Sequence, residues 1–291
     1  MLNTFELYWE KARARNAIKN FRPDIVIGAG GYVSGPVVLT AASLGYPTLV
    51  MESNALPGWT NRVLARFVDK AAVSFEAALP FFRGKAVVTG NPVRREFFEI
   101  PKRERQPGVF SVLVFGGSQG AHAINRAMVA ALPSMETLKE GLRITHQTGE
   151  ADFAEVSAAY ANAGWGERGV VTKYIDNMVA AFANVDLVIC RAGATTTAEL
   201  IAAGKASVMI PFPLAADDHQ RKNAEALEAA GAGRMILQQD LSGERLAQEI
   251  VMLASKSEKI SAMEEAARRL SRGDAAAAVV DLVEKLVSKK K

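Results

Sequence analysis

The chain has 291 residues, enough for two globular units at roughly 150 residues each. Hydrophobic residues make up 49% of it and charged residues 23%, which excludes wholesale disorder. Thirty-five Lys and Arg against 31 Asp and Glu leave +4, too mild an excess to point to a nucleic acid, and none is expected as a partner. A single cysteine, Cys190, excludes a disulfide framework and a cysteine-based zinc cluster. Three scattered histidines (His122, His146, His219) argue against a metal site, so neither a metal nor another cofactor is expected. No apolar run reaches the ~18 residues of a membrane span, and Met1 opens no signal peptide. The expectation is a soluble intracellular protein, or one attached to a membrane surface.

The chain opens on a helical stretch. Leu2, Phe5, Trp9 and Ala12 share a face, Lys11, Arg15, Lys19 and Arg22 flank it, and Glu6 and Glu10 lie roughly opposite. Apolar face plus basic flank is the pattern of an interfacial helix, and it serves equally well as a crossover helix covering a sheet. Short apolar, β-branched runs then predict strands at 24–27, 47–51, 71–75, 86–89, 111–115, 143–147, 170–174, 185–190, 207–210 and 235–238. Ala-rich stretches between them predict helices at 36–44, 121–132, 151–163, 195–203 and 218–230. Such alternation gives open, doubly wound parallel sheets, an α/β protein. The alternation restarts near Ser111 after a Pro- and charge-rich stretch from Asn91 to Gly108, which reads as a linker. The expected units are therefore 1–93, with about four strands, and 94–273, with about six. From Glu258 onward the chain is helical and polar, and a break near Gly273 lets a last helix, 274–291, rejoin the first unit.

Three glycine-rich turns stand where strands end: Gly28-Ala29-Gly30-Gly31-Tyr32-Val33-Ser34-Gly35, Gly116-Gly117-Ser118-Gln119-Gly120 and Arg191-Ala192-Gly193-Ala194-Thr195. Ligands of open α/β sheets bind at these strand ends, where glycine lets backbone N–H groups approach a phosphate and a helix N-terminus adds positive potential. Tight βα turns use glycine without any ligand, so the signal lies in having three. A dinucleotide fingerprint fails, because Val33 stands where its third glycine belongs. Glu52, about 20 residues past Gly28, is then a coincidence rather than a ribose-binding acid. No Gly-Lys-Ser/Thr occurs, so a P-loop is absent. A nucleoside diphosphate is the better ligand. Thr195, Thr196 and Thr197 can turn hydroxyls and N–H groups to an anion, and Glu199 can accept from two vicinal hydroxyls. A helix cap with a favourable acid is the competing account of the same residues, and the anion-binding reading is preferred. Asp217-Asp218-His219-Gln220 offers amide and carboxylate groups suited to sugar hydroxyls, although N-capping by either aspartate explains part of it.

Taken in order, Gly28 to Pro36, Glu52-Ser53-Asn54, Gly90-Asn91-Pro92-Val93-Arg94, Gly116 to Ala121, Tyr174-Ile175-Asp176-Asn177-Met178, Cys190 to Ala194 with Glu199, and Gln220 with Asn223-Ala224 resemble a known set. The chain is similar over essentially its whole length to the MurG family, the bacterial undecaprenyl-diphospho-muramoylpentapeptide N-acetylglucosaminyltransferases. The resemblance implies a two-domain GT-B enzyme that moves GlcNAc from UDP-GlcNAc to the muramoyl sugar of lipid I. The product would be lipid II for peptidoglycan, formed with inversion and without an essential metal. It implies that Asn54, Arg94 and Gln220 reach the donor, that Ser118 bonds the diphosphate, and that Ile175 meets uracil through its backbone. Ala194, Thr195, Thr196, Thr197, Ala198 and Glu199 would hold phosphate and ribose, and Gly30, Gly31 and Tyr32 would face the acceptor's diphosphate. A lipid acceptor places the enzyme at the cytoplasmic face of the cell membrane, with anionic phospholipid as a further partner.

The family normally begins with a strand and a Gly-Gly-Thr-Gly-Gly-His loop whose histidine is proposed to act near the acceptor hydroxyl. Neither is found here. About two βα units, at ~30 residues each, are expected to be missing before Met1, which leaves the catalytic base unassigned and the first unit incomplete. The alternative is a non-catalytic UDP-sugar-binding fragment or subunit completed by another chain. An epimerase of the same fold fits the Tyr32 loop and Asn91–Arg94 less well.

Overall fold

The computed structural model describes residues 4–289, with side chains from residue 12 onward. The chain divides into two compact units, one of residues 1–92, 215–222 and 274–291, the other of 93–214 and 223–273. The split passes through a helix, so 215–222, expected in the second unit, groups with the first.

The first unit runs α1 (Thr4–Phe21), β1 (Val26–Gly28), α2 (Ser34–Ser43), β2 (Thr48–Glu52), α3 (Trp59–Leu64), β3 (Lys70–Val73) and β4 (Ala86–Val88). The strands pair in parallel in the order β1-β2-β3-β4. One face of this sheet packs Val50 and Val73 against Val38, Leu64 and Phe82. The other packs Leu49 and Ala72 against Val279, Leu282 and Leu286 of the last helix, Ala275–Ser288. Each fully buried aliphatic side chain of this kind contributes roughly 1.5–3 kcal/mol. Helix α1 lies on α2 with Ala14 and Ile18 buried, while Arg15, Lys19 and Arg22 stay exposed. The side chains of Leu2, Phe5, Trp9 and Lys11 lie outside the described residues.

The second unit runs β5 (Phe110–Phe115), α4 (His122–Ala131), β6 (Leu142–Gln147), α5 (Phe153–Asn162), β7 (Gly169–Thr172), α6 (Met178–Ala183), β8 (Leu187–Cys190), α7 (Ala194–Ala203), β9 (Ala206–Met209), α8 (His219–Ala229), β10 (Gly233–Met235), α9 (Gly243–Ala254) and α10 (Ser257–Leu270). Its six parallel strands stand in the order β10-β9-β8-β5-β6-β7. Strands β8 and β9 are buried at every residue because helices cover both sheet faces. The chain leaves β5 toward β6 and β7, then returns to β8 on the other side of β5. The loops after β5 and β8 therefore diverge, opening a crevice at the topological switch point.

Three features differ from expectation. Strand β10 pairs at 233–235 rather than 235–238, with Gly233 opposite Ser207, where a Cβ would press on the Met209 and Ser207 side chains. Helices α3 and α6 are too short to show a period, and α9 is not among the expected helices although Leu246, Ile250 and Leu253 carry one. From Val93 onward the supposed linker is part of the second unit. Phe97 and Ile100 are buried, and Phe97 meets Phe182 edge-on at 5.3 Å. Arg103 and Arg105 reach the buried Asp186 carboxylate at 3.0 and 3.3 Å, and Arg105 also pairs with Glu264 at 2.8 Å. A buried carboxylate is costly without cations, and Asp186 draws the segment onto the base of the sheet.

Candidate functional site

The crevice of the second unit is bordered by two glycine-bearing turns. After β5, Gly117 (φ 97°) and Gly120 (φ 77°) take left-handed conformations and close a turn through Gly120 N–H to Gly117 O at 2.9 Å. Ser118 and Gln119 are exposed at its tip. After β8, Gly193 stands before α7 and no side chain caps the helix. The first-turn amides of Ala194, Thr195 and Thr196 are thus left without intrahelical acceptors, at the positive end of the helix dipole. Thr197 differs from its neighbours. It is buried, its N–H donates to Gly193 O at 2.9 Å, and its hydroxyl donates to Ala194 O and Gly193 O at 3.0 and 3.1 Å. Thr197 therefore offers an anion neither group.

Glu199 lies one turn into α7, half-buried beside Ala198. Burial raises its carboxyl above the ordinary range, against the opposing pull of the Arg94 guanidinium. Arg94 is exposed, 5.1 Å from the centre of the Phe97 ring. Burial, and then the Glu199 charge, push the Cys190 thiol far up, so it stays neutral. Arg191 braces the next loop. Its guanidinium donates to Ile210 O, Pro211 O and Gln238 Oε1 at 3.1, 3.2 and 2.7 Å, and sits 5.3 Å from the Phe212 ring.

Beneath the first turn lies a polar network that the sequence reading did not single out. Asn125 Nδ2 donates to Thr148 O and Asp152 Oδ2 at 2.9 and 2.8 Å. Its Oδ1 must then accept from His146 Nε2 at 3.0 Å, which leaves Nδ1 to accept from the Tyr160 hydroxyl at 3.1 Å. Burial holds His146 down to about 4, against the raising effect of Asp152, so the imidazole is neutral. Beside it, Gln147 Nε2 donates to Gly117 O at 2.9 Å, and its Oε1 accepts from Ile175 N–H at 3.0 Å. The Ile175 amide is thus engaged, and its carbonyl is the backbone group left to face a base. Strand β6 already carries Arg143, Thr145 and His146 among its apolar residues, so a polar Gln147 at its end gave no distinct signal.

Asn54, Gly30, Gly31, Tyr32 and Gln220 belong to the first unit. Gly30 and Gly31 are left-handed (φ 95° and 78°), the Ser34 hydroxyl holds Gly31 O at 2.9 Å, and Tyr32 is 75% exposed. Glu52, 4% exposed, accepts from Asn54 N–H, Asn54 Nδ2, Gly58 N–H and Asn61 Nδ2 at 2.9–3.1 Å. Asp217, itself left-handed, accepts from Trp59 N–H and Arg62 Nη2 at 3.2 and 3.1 Å. It therefore caps α3, not its own helix. Gln220 follows in the first turn of α8. Among the described residues no group of His, Cys, Asp and Glu is arranged to hold a metal, and no helix is long and apolar enough to cross a membrane.

Two parallel α/β units, the second built around such a crevice, are the architecture of the GT-B fold. The crystal structure of MurG from Acinetobacter baumannii shares the fold at TM-score 0.86 and 35% identity, over 98% of this chain and 81% of that one. Residues 111–283 match the glycosyltransferase family 28 C-terminal domain and residues 1–73 the family 28 N-terminal domain. The protein from Geotalea uraniireducens named UDP-N-acetylglucosamine--N-acetylmuramyl-(pentapeptide) pyrophosphoryl-undecaprenol N-acetylglucosamine transferase is 48% identical over 95% of this chain and 76% of its own length. The protein of the same name from Geobacter sulfurreducens is 48% identical over 93% and 75%. The chain belongs to glycosyltransferase family 28, among its MurG-type enzymes.

Proposed function

We propose that the chain transfers GlcNAc from UDP-GlcNAc to the lipid-linked muramoyl-pentapeptide for which its relatives are named, with inversion, as a step of peptidoglycan synthesis. The observation that carries the reading is the uncapped first turn of α7, with Glu199 one turn further along. The Ala194, Thr195 and Thr196 amides would hold phosphate, Ser118 and its glycine turn would share the diphosphate, and the Ile175 carbonyl would accept from uracil N3–H. Glu199 would take the ribose hydroxyls with Arg94 as its counter-charge, and Ala198 and Thr197 would shape the helix that presents them. Donors preorganised in this way favour the negative charge that grows on departing UDP, each worth a few kcal/mol in a dry cleft. On the first unit, Asn54 and Gln220 are assigned to the donor sugar, and Gly30, Gly31 and Tyr32 to the acceptor diphosphate. No residue is assigned as the base.

A lipid acceptor implies work at the cytoplasmic face of the membrane, and exposed Arg15, Lys19 and Arg22 suit anionic phospholipid. The test is release of UDP from UDP-GlcNAc in the presence and absence of a lipid I analogue. Acceptor-dependent release is expected. UDP-GlcNAc bound but never turned over would refute the transferase reading. Sedimentation with anionic liposomes tests the membrane assignment separately.

A further inference from the structure

Among the described residues, Gln147 is a buried polar side chain that bonds both turns assigned above to the nucleotide. It is the last residue of β6, 1% exposed, in register with Phe115 at the tip of β5 and Thr172 at the tip of β7. The glycine turn follows Phe115 and the turn carrying Ile175 follows Thr172, so the side chain lies between the two loops. Gly117 presents a carbonyl, which only accepts, and Ile175 an N–H, which only donates. A primary amide is the side chain that answers both at once, and the two partners fix which way it points. A carboxylate of the same length would still accept from Ile175 but would face the Gly117 carbonyl with no hydrogen to give. A thioether of similar length would serve neither.

The residues that follow add rigidity to the same contact. A side chain at Gly120 would collide with the Thr148 carbonyl, and one at Gly149 with the Gln119 carbonyl, so the two backbones interlock. The Thr148 carbonyl is in turn held by Asn125. The glycine turn is therefore seated on 147–149 and tied through one amide to the turn at Ile175.

We infer that Gln147 is a positioning residue for a nucleoside diphosphate: it sets the spacing between the turn that takes the diphosphate and the turn that takes the base. This rests on the assignment of UDP to these loops. Preorganising both halves of a site lowers the ordering cost that binding would otherwise carry.

The test compares uridine, which lacks phosphate, with UDP, by calorimetry on the whole chain. Unaltered protein is titrated first, and if it binds neither ligand the nucleotide assignment itself fails. In Gln147→Met both contacts are lost, and both ligands are expected to weaken by about tenfold. In Gln147→Glu the Ile175 contact survives while negative charge enters beneath the diphosphate turn. UDP is then expected to weaken about tenfold more than uridine. Affinities within twofold of the unaltered protein for both variants, or equal losses of uridine and UDP in Gln147→Glu, would overturn the inference. Should the variants fail to fold, hydrogen exchange on the unaltered protein decides. Uridine alone is expected to slow exchange in 117–120 as well as 174–177, and protection confined to 174–177 would refute the coupling.

Discussion

Glu52 and Glu199 are the same residue type close to strand tips of similar parallel sheets, and their surroundings put them to opposite uses. Glu52, at the end of β2, accepts from four groups of its own loop, two backbone amides and two side-chain amides, and fixes the path from Asn54 to Asn61. Glu199, in the first turns of α7, is half-buried, and burial rather than pairing dominates its ionisation, with Arg94 opposing. A carboxylate saturated by its own loop has little left for a ligand. One held half-buried beside an uncapped helix start is poised to accept hydroxyl groups. The first unit thus spends its strand-tip carboxylate on structure and the second keeps one for binding.

The largest effect should come from removing the structural member of this pair. Glu52→Ala strands several donors in a buried loop and is expected to cost about 3 kcal/mol or more of the first unit's stability. Calorimetric melting reads that loss, and UDP affinity should stay within about twofold of the unaltered protein. A stable variant that has lost UDP would reverse the roles assigned here.

Acid should weaken the second unit through His146. Its folded value of about 4 lies below the ordinary 6.5. As pH falls below 6.5 the unfolded chain gains a proton that the native state refuses, so stability drops progressively until about pH 4. The loss reaches about 3 kcal/mol at most. Denaturant titrations between pH 7 and 4, at roughly half-unit steps, should show this slope in the unaltered protein and a flatter one in His146→Gln.

Glu199→Ala comes next and sharpens the comparison from the other side. Losing charge-assisted bonds to ribose should weaken UDP by about ten- to a hundredfold, with the melting temperature held or raised. Because burial lifts the Glu199 carboxyl, UDP affinity should fall as pH drops through that raised value. Glu199→Gln should remove this pH dependence. The smallest effect belongs to Arg94→Ala. An exposed counter-charge is worth about 0.2–1 kcal/mol, and its removal should move the acid limb of UDP binding upward. An acid limb that moves downward would place Arg94 elsewhere.

Fold class and strand count were legible because apolar runs and Ala-rich helices alternate, and burial on both sheet faces writes that pattern plainly into β8 and β9. What stayed hidden depends on partners distant in sequence. Asp217 looks like a cap for its own helix and instead caps α3, 158 residues away. Thr197 looks identical to Thr195 and Thr196 until the helix turns it inward. Asn91–Gly108 has the composition of a linker, and only Asp186, buried in the sheet base, explains why Arg103 and Arg105 fasten it to the second unit. Gln147 acts through a backbone carbonyl and a backbone amide, and Asn125 through the Thr148 carbonyl and the side chains of His146 and Asp152, partners that no local side-chain pattern advertises.

The most direct measurement is a crystal of this chain grown with UDP. The diphosphate is expected within hydrogen-bond reach of the Thr195 and Thr196 amides and the Ser118 turn, with the ribose hydroxyls on Glu199. Nucleotide seated anywhere else, or a crevice still empty at saturating UDP, would contradict the account.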